Sequence, residues 1–90
     1  MCTNILVKTE LEGAGFGRNG WFRVNRANVT YDHPFHVDLE HAVTVDFVDE
    51  AGGLDARVGV ELTLESARAL ARALLAACEE AEAYESGARG

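Results

Sequence analysis

Apolar side chains recur at every second position through the first two thirds of the chain and at every third or fourth through the last third, a pattern that predicts strands followed by one helix. From Thr3 to Leu11, Ile5, Val7 and Leu11 fall on one side and Lys8 and Glu10 on the other. Gly13, Gly15, Gly17 and Gly20 then break the alternation and read as a mobile connection. Trp21 to Tyr31 is rich in aromatic and β-branched residues and reads as a second strand, with a bulge implied by its imperfect alternation. His41 to Asp49 places Val43, Val45 and Phe47 on one face. Ala51-Gly52-Gly53 is a turn, and Ala56 to Leu64 returns with Val58, Val60, Leu62 and Leu64 facing one way, so these two strands form an antiparallel hairpin.

The helix is expected from Leu64 to about Tyr84. Thr63 suits its N-cap, because the hydroxyl accepts an orphan backbone N–H, and Glu65 suits the positive end of the helix dipole. Leu64, Ala67, Leu70, Ala71, Leu74, Leu75, Cys78 and Ala81 form one apolar stripe. Glu79, Glu80, Glu82 and Glu85 crowd the end that the dipole disfavours for acids. That end is expected to fray unless tertiary contacts or a partner hold it, with Gly87 as a stop. These elements predict one α+β domain over residues 1–90: a four-stranded, mainly antiparallel, meander-like sheet within residues 1–64, and a C-terminal helix over 64–85 packed on one face. The opposite face carries Arg26, Asn28, Thr30, Thr44, Asp46, Arg57 and Glu61, which suits a solvated surface, a pocket lining or a dimer contact. Arg57 and Asp46 are placed to pair across the hairpin.

Ninety residues bury roughly 60–65% of their unfolded surface, so a lone chain is only modestly stable, and a homodimer is expected. A formal charge of −7 without a basic stripe argues against nucleic acid and mildly favours cationic partners. Cys2 and Cys78 are too few for a disulfide framework, the first residues lack a signal-peptide pattern, and no apolar run suits a membrane span; a cytoplasmic setting follows. Cys2 reads as a small residue at a strand start and Cys78 as inert core.

The chemistry gathers in Tyr31 to His41, YDHPFHVDLEH, which holds all three histidines together with Asp32, Asp38 and Glu40. Histidine titrates near neutrality, and a carboxylate on one ring nitrogen fixes its tautomer, so His33 and His41 suit proton transfer with Asp32 and Glu40 orienting them. Neighbours in extended chain point to opposite faces, which favours cross pairing of Asp32 with His41 or Glu40 with His33. Alternatively, His33-x2-His36-x4-His41 offers neutral imidazoles to a metal, with Asp32 or Glu40 completing the set. A purely structural reading also holds: Asp-His-Pro is a good turn former. Gly15-Phe16-Gly17-Arg18-Asn19-Gly20 matches G-x-G-x-x-G, but a dinucleotide fingerprint needs a helix next, and Trp21-Phe22-Arg23-Val24 reads as a strand. Phe16 and Arg18 can instead lower as a flap over a pocket. Trp21 reads as a core anchor first and as a stacking surface second. In the latter role it would join Phe16, Tyr31 and Arg57 in holding a substrate.

Met1-Cys2-Thr3, Lys8-Thr9, Gly20-Trp21, Asp32-His33-Pro34, Glu40-His41-Ala42, Asp46-Phe47-Val48, Arg57-Val58, Glu61-Leu62 and Glu65-Ser66-Ala67-Arg68 follow in an order that resembles a small family of actinobacterial proteins with a domain of unknown function. The resemblance runs from residue 1 to about residue 80; its motifs are short and their order is the specific part. It implies that Asp32, His33, Glu40 and His41 belong together while His36 and Asp38 are peripheral, which weakens the three-histidine metal set. Members resemble small accessory proteins near specialised-metabolite genes. The expectation is therefore a small soluble protein with metal-independent, cofactor-free acid–base chemistry on a small metabolite: isomerisation, cyclisation, dehydration or hydrolysis. The competing expectation is a non-catalytic binding or accessory protein acting through dimer or partner contacts, and the third a histidine-ligated metalloprotein.

Overall fold

The computed structural model describes residues 3–88. Four strands, β1 (Ile5–Gly17), β2 (Gly20–Asp32), β3 (Ala42–Val48) and β4 (Arg57–Leu62), form one antiparallel sheet in chain order, and α1 (Leu64–Ala88) follows. This is the α+β meander with a C-terminal helix that the periodicity predicts. Because side chains opposite each other in a ladder share a face, the register separates two surfaces. Tyr31, Val43 and Leu62 align in one row, Val29, Val45 and Val60 in the next, and Ala27, Phe47 and Val58 in a third. The intervening rows, Thr30–Thr44–Glu61 and Asn28–Asp46–Gly59, form the polar face.

The glycine-rich segment is strand rather than the mobile connection its composition suggests. β1 runs through it to Gly17, and only Arg18 and Asn19 separate β1 from β2, with Gly20 at φ +104° closing the hairpin. No helix follows the G-x-G-x-x-G run, so it offers no dinucleotide cradle. The bulge lies on β1 rather than on β2, because Leu11 and Glu12 together oppose Asn25. It bends the sheet, and the hairpin tip curls toward the β3–β4 turn, where Asn19 donates to Asp55 Oδ2 at 3.2 Å and Arg18 lies 3.9 Å from Asp55. Glycine is required inside this curl. A Cβ at Gly17 would stand 3.0 Å from the Phe22 ring and 3.3 Å from the Arg57 carbonyl oxygen, and one at Gly15 would stand 3.1 Å from Val24 Cγ2.

Thr63 caps α1 as expected, its Oγ1 accepting the Ser66 amide at 3.0 Å. Ala67, Leu70, Ala71 and Leu74 face the apolar side of the sheet, mainly over β3 and β4. Beyond Leu74 the helix continues past Gly87 to Ala88 instead of ending at Tyr84. Glycine lacks a strong helix preference but imposes no break while the i→i−4 ladder continues. Cys78 is exposed, not core, because this part of α1 has left the sheet. Trp21 is likewise no core anchor: it is 72% exposed and meets Phe16 edge to face at the hairpin tip, with centroids 5.4 Å apart. Cys2 lies outside the described residues. Among the described residues the buried apolar ones are Val24, Ala27, Ala42 and Ala56, a small set for a chain of this length.

Replacing Thr63 with alanine removes the acceptor for the Ser66 amide, and urea denaturation is expected to show a loss of about 1 kcal/mol with an unchanged m-value.

Candidate functional site

The site is built where β2 hands over to β3. Asp32 ends β2 and its Oδ1 accepts the His33 amide at 2.8 Å, which turns the chain as Asp-His-Pro predicts. The segment between the strands then folds back over the polar face and is anchored on β4. Glu61 Oε2 accepts the Phe35 amide at 2.8 Å, while Glu61 Oε1 accepts the amides of His36 at 2.7 Å and Val37 at 3.2 Å. His36 Nδ1 lies 3.4 Å from Glu61 Oε2. Three successive backbone N–H groups converging on one carboxylate form an anion-binding concavity filled by the protein's own side chain.

These contacts act on the Glu61 carboxyl in opposite directions. The Phe35 amide does most to hold it below the ordinary carboxylate value, burial opposes this, and the His36 and Val37 amides and the His36 ring add to the lowering. The alternation of the strand puts Glu61 on the polar face but does not tie it to residues 31–41. An acidic residue in a strand carries no signal of a partner 26 positions earlier in the chain.

Folding the segment back encloses a hollow of about 280 Å³. Its floor is Thr44, Asp46, Arg57 and Gly59, its edge is Val60 and Glu61, and its cover is His33, Phe35 and His36. Arg57 and Asp46 pair across the hairpin, as the sequence suggests. Gly59 makes room for that pair, since a Cβ there would stand 2.8 Å from Asp46 Oδ1. Beside the floor, in the same row as Asp46, Asn28 Oδ1 is buried and, among the described residues, without a hydrogen-bond partner.

Three aromatic rings stack at the end of the sheet. His41 lies between Tyr31, centroids 5.4 Å apart at 23°, and His33, 5.5 Å apart at 22°. Such spacings lie within the range for offset stacking. The two residues expected to transfer protons, His33 and His41, therefore stand together, with Tyr31 against His41 and Arg57 on the floor of the hollow that His33 covers. Glu40 is exposed on the returning segment. His36 is engaged by Glu61, and among the described residues no group of three or more histidine, cysteine or carboxylate side chains is arranged to hold a metal ion. Phe16 and Trp21 occupy the far end of the β1–β2 hairpin, on the order of 40 Å along β2 from His33 at the rise of an extended strand. One chain does not bring them to the hollow.

Because the Glu61 carboxyl titrates below its unfolded value in the folded protein, its hold on the segment is complete above that unfolded value and is lost as pH falls through the lowered one. Protection of the Phe35, His36 and Val37 amides, measured against the intrinsic exchange rate at each pH, is therefore expected to hold down to the ordinary carboxylate value of 4.5 and to be lost as pH falls through the lowered one. Glu61→Gln is expected to raise exchange at those three amides about tenfold or more at neutral pH, because the carboxamide keeps a single uncharged accepting oxygen and turns an NH2 donor toward the amides that faced the other. Unchanged exchange in that variant would show that the segment is held by other means.

Neither a curated protein nor a solved structure matches the chain. Among the described residues no helix is long and apolar enough to cross a membrane. Residues 1–87 match a family of unknown function, DUF6295, and the chain belongs to that family.

Proposed function

We propose that this protein binds a small polar metabolite in the hollow under residues 33–36 and transforms it by metal-independent acid–base chemistry. The observation that carries this reading is the stacked His33–His41 pair, with His33 at the cover of a polar hollow floored by Thr44, Asp46 and Arg57. At neutral pH an imidazole can both donate and accept a proton, so adjacent rings suit a step in which one proton leaves the substrate and another returns. Asp32 and Glu40 are the orienting carboxylates in this proposal, and Tyr31 steadies His41 by stacking. The hollow is slightly smaller than most ligand pockets, which limits the substrate to a few carbons or one ring. Arg57 is already neutralised by Asp46 and Glu61 adds a negative charge, so the ligand is neutral or cationic. Isomerisation, cyclisation, dehydration and hydrolysis all fit this chemistry, and the setting proposed is the reducing cytoplasm of an actinobacterium, close to specialised metabolism.

The test compares wild type with the His33→Ala/His41→Ala double variant, each incubated with small-molecule extract and followed by mass spectrometry. Wild type is expected to convert a metabolite that the variant converts about 10²–10⁴-fold more slowly, while the amide spectrum of the variant stays folded. Equal conversion by both would remove the acid–base reading.

A second reading, a non-catalytic accessory protein working as a homodimer or with a partner, is supported by the large apolar side chains left uncovered on the side of the sheet that carries α1. It predicts tolerance of histidine loss and sensitivity to changes at the contact surface.

A further inference from the structure

The single chain is too open for its size. It exposes 7026 Å², whereas a folded 9.7 kDa monomer exposes about 5,100 Å². Its radius of gyration is 15.5 Å against about 12 Å for a compact chain of this length. The surplus of roughly 1,900 Å² per chain falls within what each partner of an obligate homodimer buries. Part of it is a continuous apolar surface on the side of the sheet that carries α1. Ile5, Val7, Leu70, Leu74 and Leu75 are between 46% and 65% exposed, and an apolar groove of about 320 Å³ runs between α1 and the strands. A second hollow of about 340 Å³, lined by Ile5, Val7, Tyr31 and Leu64, continues it through the shared Val29 and Val43.

The charge pattern of α1 identifies what fills this space. Arg68 and Arg72 lie in the half that rests on the sheet, and Glu79 and Glu82 in the half that overhangs it. At helical spacing the four line one flank of the apolar stripe, with Leu75 between them. Among the described residues none of the four has an ion-pair partner. Two such helices side by side and antiparallel, related by a two-fold axis at Leu75, place Arg68 of one opposite Glu82 of the other and Arg72 opposite Glu79. The overhanging half of each helix then lies on the partner's apolar groove, beside the half already seated there.

We propose that the protein is a homodimer in which the α1 helices pair antiparallel about Leu75, the overhanging part of each covering the exposed apolar face of the other chain's sheet. This rests on the dimer named in the second reading and specifies its interface; it does not depend on the acid–base site. An anionic membrane surface fits the same groove poorly, because Glu79, Glu80, Glu82 and Glu85 crowd the overhanging half.

The experiment uses the full chain in sedimentation equilibrium, with helicity followed in parallel. Wild type at about 50 µM is expected to show the mass of two chains and to lose structure on dilution, as obligate dimers do. Arg68→Glu/Arg72→Glu and Glu79→Arg/Glu82→Arg each put like charges in register across the axis, and each alone is expected to self-associate at least about tenfold more weakly. Mixed together they are expected to form the one-to-one heterodimer and to recover both mass and helicity. A folded single-chain wild type would overturn both the dimer and its interface. A two-chain wild type whose variants self-associate normally, with no preference in the mixture, would leave a dimer but overturn the antiparallel helix pair. Both variants involve exposed positions, and a chain that unfolds alone yet refolds on mixing supports the proposal as a surviving heterodimer does.

Discussion

The register of β2, β3 and β4 governs everything else in this molecule. Val29 opposite Val45, and Val45 opposite Val60, commit one surface of the sheet to apolar packing. The same ladder commits Thr30, Thr44 and Glu61 to the other. A slip of one residue would exchange the two surfaces, since the pleat alternates with a period of two. The apolar surface then has to be covered and the polar one is free to hold chemistry. The helix and the folded-back segment are responses to that division, α1 on one side and residues 33–37 on the other.

The two sides are completed to different degrees. On the polar side, one carboxylate gathers three backbone amides and closes a hollow within the chain. Charge-assisted bonds of this kind are short and directional, so a single residue suffices to set where His33 and Phe35 rest. On the apolar side no single residue can do this, because the burial energy scales with area. The first three turns of α1 cover part of β3 and β4, and the remainder of the helix extends away from the sheet while Ile5 and Val7 stay exposed. A second surface of matching shape is what such an imbalance calls for.

Curling of the sheet joins these features. The bulge at Leu11 and Glu12, together with side-chain-free positions at Gly15 and Gly17, lets the β1–β2 hairpin bend until its tip meets Asp55. Phe22 and Val24 fill the inside of that bend with Phe47 and Val58 nearby. The same bend carries Phe16 and Trp21 to the end of the molecule remote from the histidines. Their rings pack against each other there and leave much of both exposed.

Periodicity by itself determined the four strands, their meander order, the capped helix and the membership of each face, because a two-residue or 3.6-residue repeat is a local property of backbone geometry. It also identified Tyr31 to His41 as the richest stretch of titratable groups. It misread the glycine segment, where missing side chains signal close packing inside a curl as readily as they signal a loop. It also misread Cys78 and Trp21, since an apolar residue is buried only if another element reaches it. Only the tertiary structure decided that His33 stacks on His41, that His36 turns to Glu61 and that Glu61 holds the segment at all. Those relations join residues far apart in the chain, through hydrogen bonds and ring contacts that no short-range pattern encodes. The extent of uncovered apolar surface was decided in the same way, because it depends on where a long helix lies and not on which residues it contains.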